Sequence, residues 1–258
     1  MRRVALAFIT SLGLLIAGCG GGGGGGGGPV ADAAVGGLWY GTTVISGQGT
    51  YQLLGMVAED GTAFFFQEDG RMYWGTIHSS GNDISAQVTG AGLFGVPLWD
   101  GSASGTGSIT GTISPRRSIS ATSVFTTILG SGSTGRISLA YDASYDDDSS
   151  LQSIAGNYVD ALGLFAGVLN VASNGTVFLQ DPSTGCVVNG QVSIIDPAYN
   201  AYRIDLAYSS CTGVNATLNG ATFTGLAAYD AASAEAVAFV QGTVAGTPTP
   251  NVFIFDRV

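Results

Sequence analysis

Residues 56–77 read MVAEDGTAFFFQEDGRMYWGTI, and residues 170–194 read NVASNGTVFLQDPSTGCVVNGQVSI. Val57–Ala58 aligns with Val171–Ala172, Gly61–Thr62 with Gly175–Thr176, and Phe64 with Phe178. After a one-residue slip, Gly75 falls on Gly190. Each copy follows a short segment that opens on glycine and carries an aromatic residue, GLWYG from Gly37 and GNYV from Gly156. Recurrence at this separation marks two related units of about 100 residues each.

The apolar pattern inside both units has period two. RISLAYD sets Ile137, Leu139 and Tyr141 against Arg136, Ser138, Ala140 and Asp142. YRIDLAYS sets Tyr202, Ile204, Leu206 and Tyr208 against Arg203, Asp205 and Ala207. Such strands bury one face and wet the other, as antiparallel sheets do. In the first unit, strands are expected near 37–45, 50–58, 62–67, 71–79, 83–89, 105–113, 117–128 and 135–142. In the second they are expected near 156–161, 164–172, 176–181, 186–195, 201–209, 214–218, 221–230, 236–243 and 251–256. Asp60–Gly61, Asp69–Gly70, Asp100–Gly101, Asn174–Gly175 and Asn219–Gly220 offer the positive-φ pairs of primed hairpin turns. Short sequential connections point to an all-β chain of two tandem up-and-down barrels of about eight antiparallel strands, closure removing the exposed edges. A pair of β-sandwiches is the alternative. The organisation expected is residues 1–18 as signal peptide and 19–36 as anchor and tether. The first unit then takes 37–145, a polar joint 146–153, and the second unit 154–258.

The front of the chain, MRRVALAFITSLGLLIAGCGGGGGGGGGPVADAAVGG, carries a different message. Arg2 and Arg3 precede an apolar run, Val4 to Ile16, too short for an ordinary membrane span and suited to a signal peptide. Ile16–Ala17–Gly18–Cys19 resembles a bacterial lipobox, which implies lipidation of Cys19 and retention at a membrane through several acyl chains. Gly20 after the cysteine, in place of Asp, leans towards the outer membrane of the cell envelope. The glycines from Gly20 to Gly28 have no side chains to bury and form a flexible tether ending at Pro29.

Composition excludes several roles. Lysine is absent, and the eight basic residues face eighteen acids at a formal net charge of −10. An acidic body is unsuited to nucleic acid or anionic headgroups. With Cys19 assigned to lipid, Cys186 and Cys211 remain as a pair in an oxidising compartment, and a disulfide between them is expected. Closing that loop is worth roughly 3 kcal/mol in the chain-entropy model.

Chemistry is sparse. His78 is the sole histidine and stands at a strand end. GSASG from Gly101 places Ala103 where a hydrolase serine would stand, and without lysine there is neither a Walker lysine nor a Ser–Lys dyad. Glu59, Asp60, Glu68 and Asp69 fall in turns, where exposed acids are ordinary. Asp146–Asp147–Asp148 lacks the spacing of a calcium loop. No enzyme activity, cofactor or metal site is expected. Trp39, Tyr40, Phe65 and Trp74 are the candidates for a ligand-binding residue set, in a cluster that includes Phe64, Phe66 and Tyr73. Because Phe64–Phe65–Phe66 must turn one ring against its neighbours, one side of that strand is expected to be either exposed or covered by the other unit.

The anchor, the glycine tract C-G-G-G and Val30–Ala31–Asp32 beyond it resemble the tether of surface lipoproteins of the transferrin-binding-protein and factor-H-binding-protein families. The resemblance is confined to residues 19–34 and implies a non-enzymatic binding or structural component of the envelope, with a membrane and a protein as partners. The second expectation is a lipocalin-like periplasmic carrier or sensor of a small apolar ligand.

Overall fold

The computed structural model describes residues 31–163 and 165–258. The signal peptide, Cys19 and the glycine tract lie outside the described residues.

Each unit is a closed antiparallel barrel of eight strands, not half of a sandwich pair. Barrel 1 runs β1 (Gly37–Ile45), β2 (Gly49–Val57), β3 (Thr62–Gln67), β4 (Arg71–Ser80), β5 (Asp83–Gly92), β6 (Ser104–Ser114), β7 (Ser118–Thr127) and β8 (Gly132–Asp142). It closes where β1 pairs with β8, from Leu38 opposite Asp142 to Ile45 opposite Gly135. Barrel 2 runs β9 (Gly156–Asp160), β10 (Leu169–Val171), β11 (Thr176–Gln180), β12 (Val187–Ile194), β13 (Tyr202–Ser209), β14 (Thr222–Asp230), β15 (Glu235–Val244) and β16 (Thr247–Arg257). It closes by a three-residue pairing of β16 with β9.

The repeat seen in the sequence is a repeat of register. Gly37 lies opposite Val57, and Gly156 opposite Val171. Ala63 lies opposite Gly75, and Val177 opposite Gly190. The one-residue slip falls in the loop after β11, which is longer than the loop after β3 and carries Cys186. The β2–β3 and β10–β11 turns match bond for bond. Gly61 N–H donates to Ala58 O at 2.9 Å and Gly175 N–H to Ala172 O at 2.8 Å, and both glycines have φ +83°. Asp60 and Asn174 each accept the N–H two residues on, at 3.0 Å.

That geometry corrects the expected turn type. At Gly61, Gly70, Gly101 and Gly175 only the glycine is left-handed, so these are three-residue loops closed by glycine, not primed pairs. The preceding Asp or Asn at 60, 100 and 174 is there to cap an amide. A two-residue turn with both residues at positive φ occurs instead at Ala245–Gly246. Two expected strands also change. Residues 213–218 form a 3₁₀ segment, because β13 pairs directly with β14 and no partner is left for them. Asn219 is not a hairpin turn residue. Its carboxamide clamps Cys211, accepting from its N–H at 2.8 Å and donating to its carbonyl at 2.9 Å. The strand expected over 164–172 shrinks to Leu169–Val171, and Phe165 ahead of it packs on Phe253 in place of a strand partner.

Closure divides every strand between two faces. Trp39, Leu53, Val57, Phe65, Ile77, Ile109, Ile119 and Leu139 fill barrel 1. Tyr158, Val177, Val188, Ile204, Phe223, Phe253 and Phe255 fill barrel 2. A third apolar cluster lies between the barrels. Leu38, Met56, Phe64, Met72 and Leu93 from barrel 1 meet Leu226, Phe239 and Val252 from barrel 2.

The joint is fastened, not free. Tyr145 is fully buried and stacks on Tyr199, with centroids 5.3 Å apart. Asn200, also buried, donates to Tyr229 O and accepts from Tyr229 N–H, while its own N–H reaches Tyr145 O at 2.9 Å. Arg116 pairs with Asp146 at 3.2 Å and lies over the Tyr199 ring.

The matched glycines give a test of the repeat. A Cβ at Gly61 would lie 2.4 Å from Ile77 O, and one at Gly175 2.2 Å from Val192 O, whereas one at Gly70 meets nothing within 4 Å. Gly61→Ala and Gly175→Ala are each expected to cost at least about 2–3 kcal/mol in chemical denaturation. Gly70→Ala, which carries only the left-handed penalty, is expected to cost about 1 kcal/mol.

Candidate functional site

The four aromatic candidates do not form one site. Trp39 and Phe65 point into barrel 1 and are buried, Trp39 edge-on to Tyr141 at 5.2 Å. Tyr40 and Trp74 point outwards. Trp74 packs at the margin of the cluster between barrels, with Phe64 and Phe66. The outward side of the FFF strand is thus covered by the second barrel. Tyr40 stays about two-fifths exposed (41%), and the covered part of the side chain pushes its hydroxyl above the usual range, with Asp142, Glu235 and Asp230 adding to the shift.

The carboxylates do not converge either. Glu59 and Asp60 lie at one end of β3, and Glu68 and Asp69 at the other. Asp60 binds Arg203 of barrel 2, Glu68 accepts from Gln52 N–H, and Asp69 pairs with Arg71. Burial raises the Glu59 carboxyl, with the Tyr145 hydroxyl opposing. His78 is exposed on β4 opposite Ser85. Asp146 holds the Tyr141 hydroxyl and Arg116. Among the described residues no three His, Cys, Asp or Glu side chains are placed to hold a metal ion.

Cys186 and Cys211 are joined by a disulfide. They stand just beyond the outermost pair of the β12–β13 ladder, Val187 opposite Ser209, so the bond staples that hairpin at the end away from its turn.

A feature the sequence reading missed is an acidic rung. Asp230 lies opposite Glu235, and Glu235 opposite Asp256, on three adjacent strands. Like charges directly opposite are unfavourable. Glu235 is raised by burial, then by Asp256 and Asp230. Asp230 is lowered by its bonds from Ser233 and Ala232, against burial. The signal was faint, because the rung exists only once register is known.

The missed feature nearest to a binding site is inside barrel 1. A cavity of about 40 Å³ is lined by Thr43, Phe65, Gln67, Tyr73, Ser123 and Phe125, among others. Gln67 is 1% exposed, and its Nε2 has no hydrogen-bond partner. Burial pushes the Tyr73 hydroxyl up to about 12, with Arg71 opposing. Barrel 2 holds inner cavities of about 50 and 20 Å³, and these are lined chiefly by apolar side chains.

No family model matches the chain, and no curated protein matches it. Among solved structures, a crystal structure from Bacteroides fragilis, described as a provisional outer membrane protein, covers 87% of this chain and 98% of its own at 11% identity and a TM-score of 0.31. At that distance the likeness carries no argument about activity.

Two measurements follow. Alkylation without reductant is expected to leave the mass of the 186 and 211 region unchanged, and Cys186→Ala with Cys211→Ala to cost about 3 kcal/mol. The raised folded pKa of Glu235 means its contribution to stability is full below the unfolded carboxyl range and is lost as pH rises through the folded value. Glu235→Gln should therefore raise the urea midpoint at pH 7 and change it little at pH 4.

Proposed function

We propose that this chain is a lipid-anchored protein of the bacterial envelope, non-enzymatic, whose fused barrels serve as a binding or structural component held off the membrane by the glycine tether. The observation that carries the reading is the polarity of the barrels. Several strands, at nine to eleven residues, are long enough to cross a bilayer. A membrane-spanning barrel, however, turns an apolar band outwards and keeps a polar lumen. Here the interiors are apolar. The outer face of barrel 1 exposes Thr110, Thr112, Ser120, Thr122, Arg136 and Ser138, and that of barrel 2 exposes Asn189, Gln191, Asp205 and Thr222. Such a body is built for water, and its membrane attachment falls to Cys19.

The first described residues are bonded to barrel 1. Asp32 accepts from Gly81 N–H, and Ala33 N–H donates to Gly81 O. The chain thus enters along the β4–β5 turn, at the end of barrel 1 opposite the β3–β4 hairpin.

A second reading, the carrier of a small ligand, is favoured by one observation, the barrel 1 cavity with the unpartnered Gln67 amide in its wall.

The anchor is tested by fractionation. Wild-type protein is expected in the membrane fraction with a lipid-modified N-terminus, and Cys19→Ala without that modification. A Cys19→Ala chain processed and retained like wild type would refute the anchor. Protease shaving of intact cells then reads whether the barrels face outwards.

A further inference from the structure

The inside of barrel 1 is apolar except at the end that holds the cavity. There Thr43 on β1, Gln67 on β3 and Ser123 on β7 all face inwards. Gly135 on β8 keeps this corner open, since a Cβ would lie 2.7 Å from Ser123 Oγ and 3.3 Å from Thr43 Oγ1. The Gln67 amide is a buried donor without an acceptor, which native interiors rarely tolerate.

The neighbouring wall is paved with glycine. Cβ atoms at Gly90, Gly105 and Gly107 would lie 2.8, 2.5 and 2.8 Å from ring atoms of Phe125. Three missing side chains clear a slot of the size and flatness of one aromatic ring. Tyr73 meets that ring edge-on at 5.3 Å. Trp99, from the connection between β5 and β6, covers it at 5.8 Å and is itself covered by Arg71.

We propose that this end of barrel 1 is a binding site for a small uncharged molecule with a flat apolar body and one hydrogen-bond acceptor, such as an aromatic ketone. The acceptor takes the free N–H of Gln67, beside the Thr43 and Ser123 hydroxyls. The ring takes the glycine-walled slot, with Phe125 turning out of it. Closed, the cavity has room for a water or two and no more, so Phe125 is the plug and Trp99 the cover. The site rests on the carrier reading and is independent of the anchor.

The test uses the full chain in nanodiscs, with acetophenone as probe, ethylbenzene as the same shape without an acceptor, and empty nanodiscs as the blank. Binding is read from the Gln67 side-chain amide and Trp99 indole N–H resonances. Saturable shifts of both with acetophenone are expected. Gln67→Met, which keeps length and removes the donor, should weaken acetophenone by about tenfold or more and leave ethylbenzene nearly unchanged. Phe125→Leu, and Phe125→Ala if it folds, should tighten both probes. Two results would overturn the proposal: no saturable shift in wild type and Phe125→Leu alike, or equal acetophenone affinity in wild type and a folded Gln67→Met. Fractionation reads Cys19 and the resonances read the barrel, so either proposal can fail without the other.

Discussion

Closure of each sheet on itself is the constraint from which the remaining structure follows. When β1 pairs with β8, and β16 with β9, every residue of every strand is assigned to a lumen or to an outer wall. A lumen of eight strands is only wide enough to be filled by side chains. The inward residues must therefore be apolar and matched in volume, and bulky rings need glycine across from them. Phe65 over Gly55 and Phe125 over Gly90, Gly105 and Gly107 show this arrangement. The abundance of glycine within these strands is in part a record of where rings lie.

The outer wall of barrel 1 has two characters. On β1 to β4 it carries Leu38, Met56, Phe64 and Met72, which water would not tolerate as a patch, and barrel 2 covers them with Leu226, Phe239 and Val252. On β6 to β8 it is a field of Ser and Thr. The first face explains why two barrels come as one body. The second leaves that side of the body facing water. Polar contacts then fix the pairing of the barrels. Asn200 ties the joint to β14, and Asp60 reaches Arg203 across the boundary. An ion pair so exposed adds little stability, and its use is in orientation.

Much of this was legible in advance because strands announce themselves by alternation and hairpins by glycine. The strands and the repeat rest on such local signals, while the disulfide rests on the pair of cysteines left once Cys19 is set aside. The errors share a cause. VNATL alternates well enough for a strand, yet no edge was free to receive it, so it became a 3₁₀ turn over the disulfide. Of the segment 164–172 only Leu169–Val171 is strand, and Phe165 ahead of it packs on Phe253. Asp–Gly and Asn–Gly were correctly placed at turns, but the acid or amide was there to cap an amide, not to take positive φ.

The sequence by itself determined the period, the strand count within one, the two-unit plan and the pairing of Cys186 with Cys211. These depend on neighbours in the chain or on a single hairpin. Only the tertiary structure decided which of Trp39, Tyr40, Phe65 and Trp74 faced a lumen and which faced the other barrel. It alone placed Asp230, Glu235 and Asp256 on one rung and left Gln67 without an acceptor beside Thr43 and Ser123. Each of these is a meeting of residues from different strands, and register and closure, which bring them together, are written in no one segment of the chain.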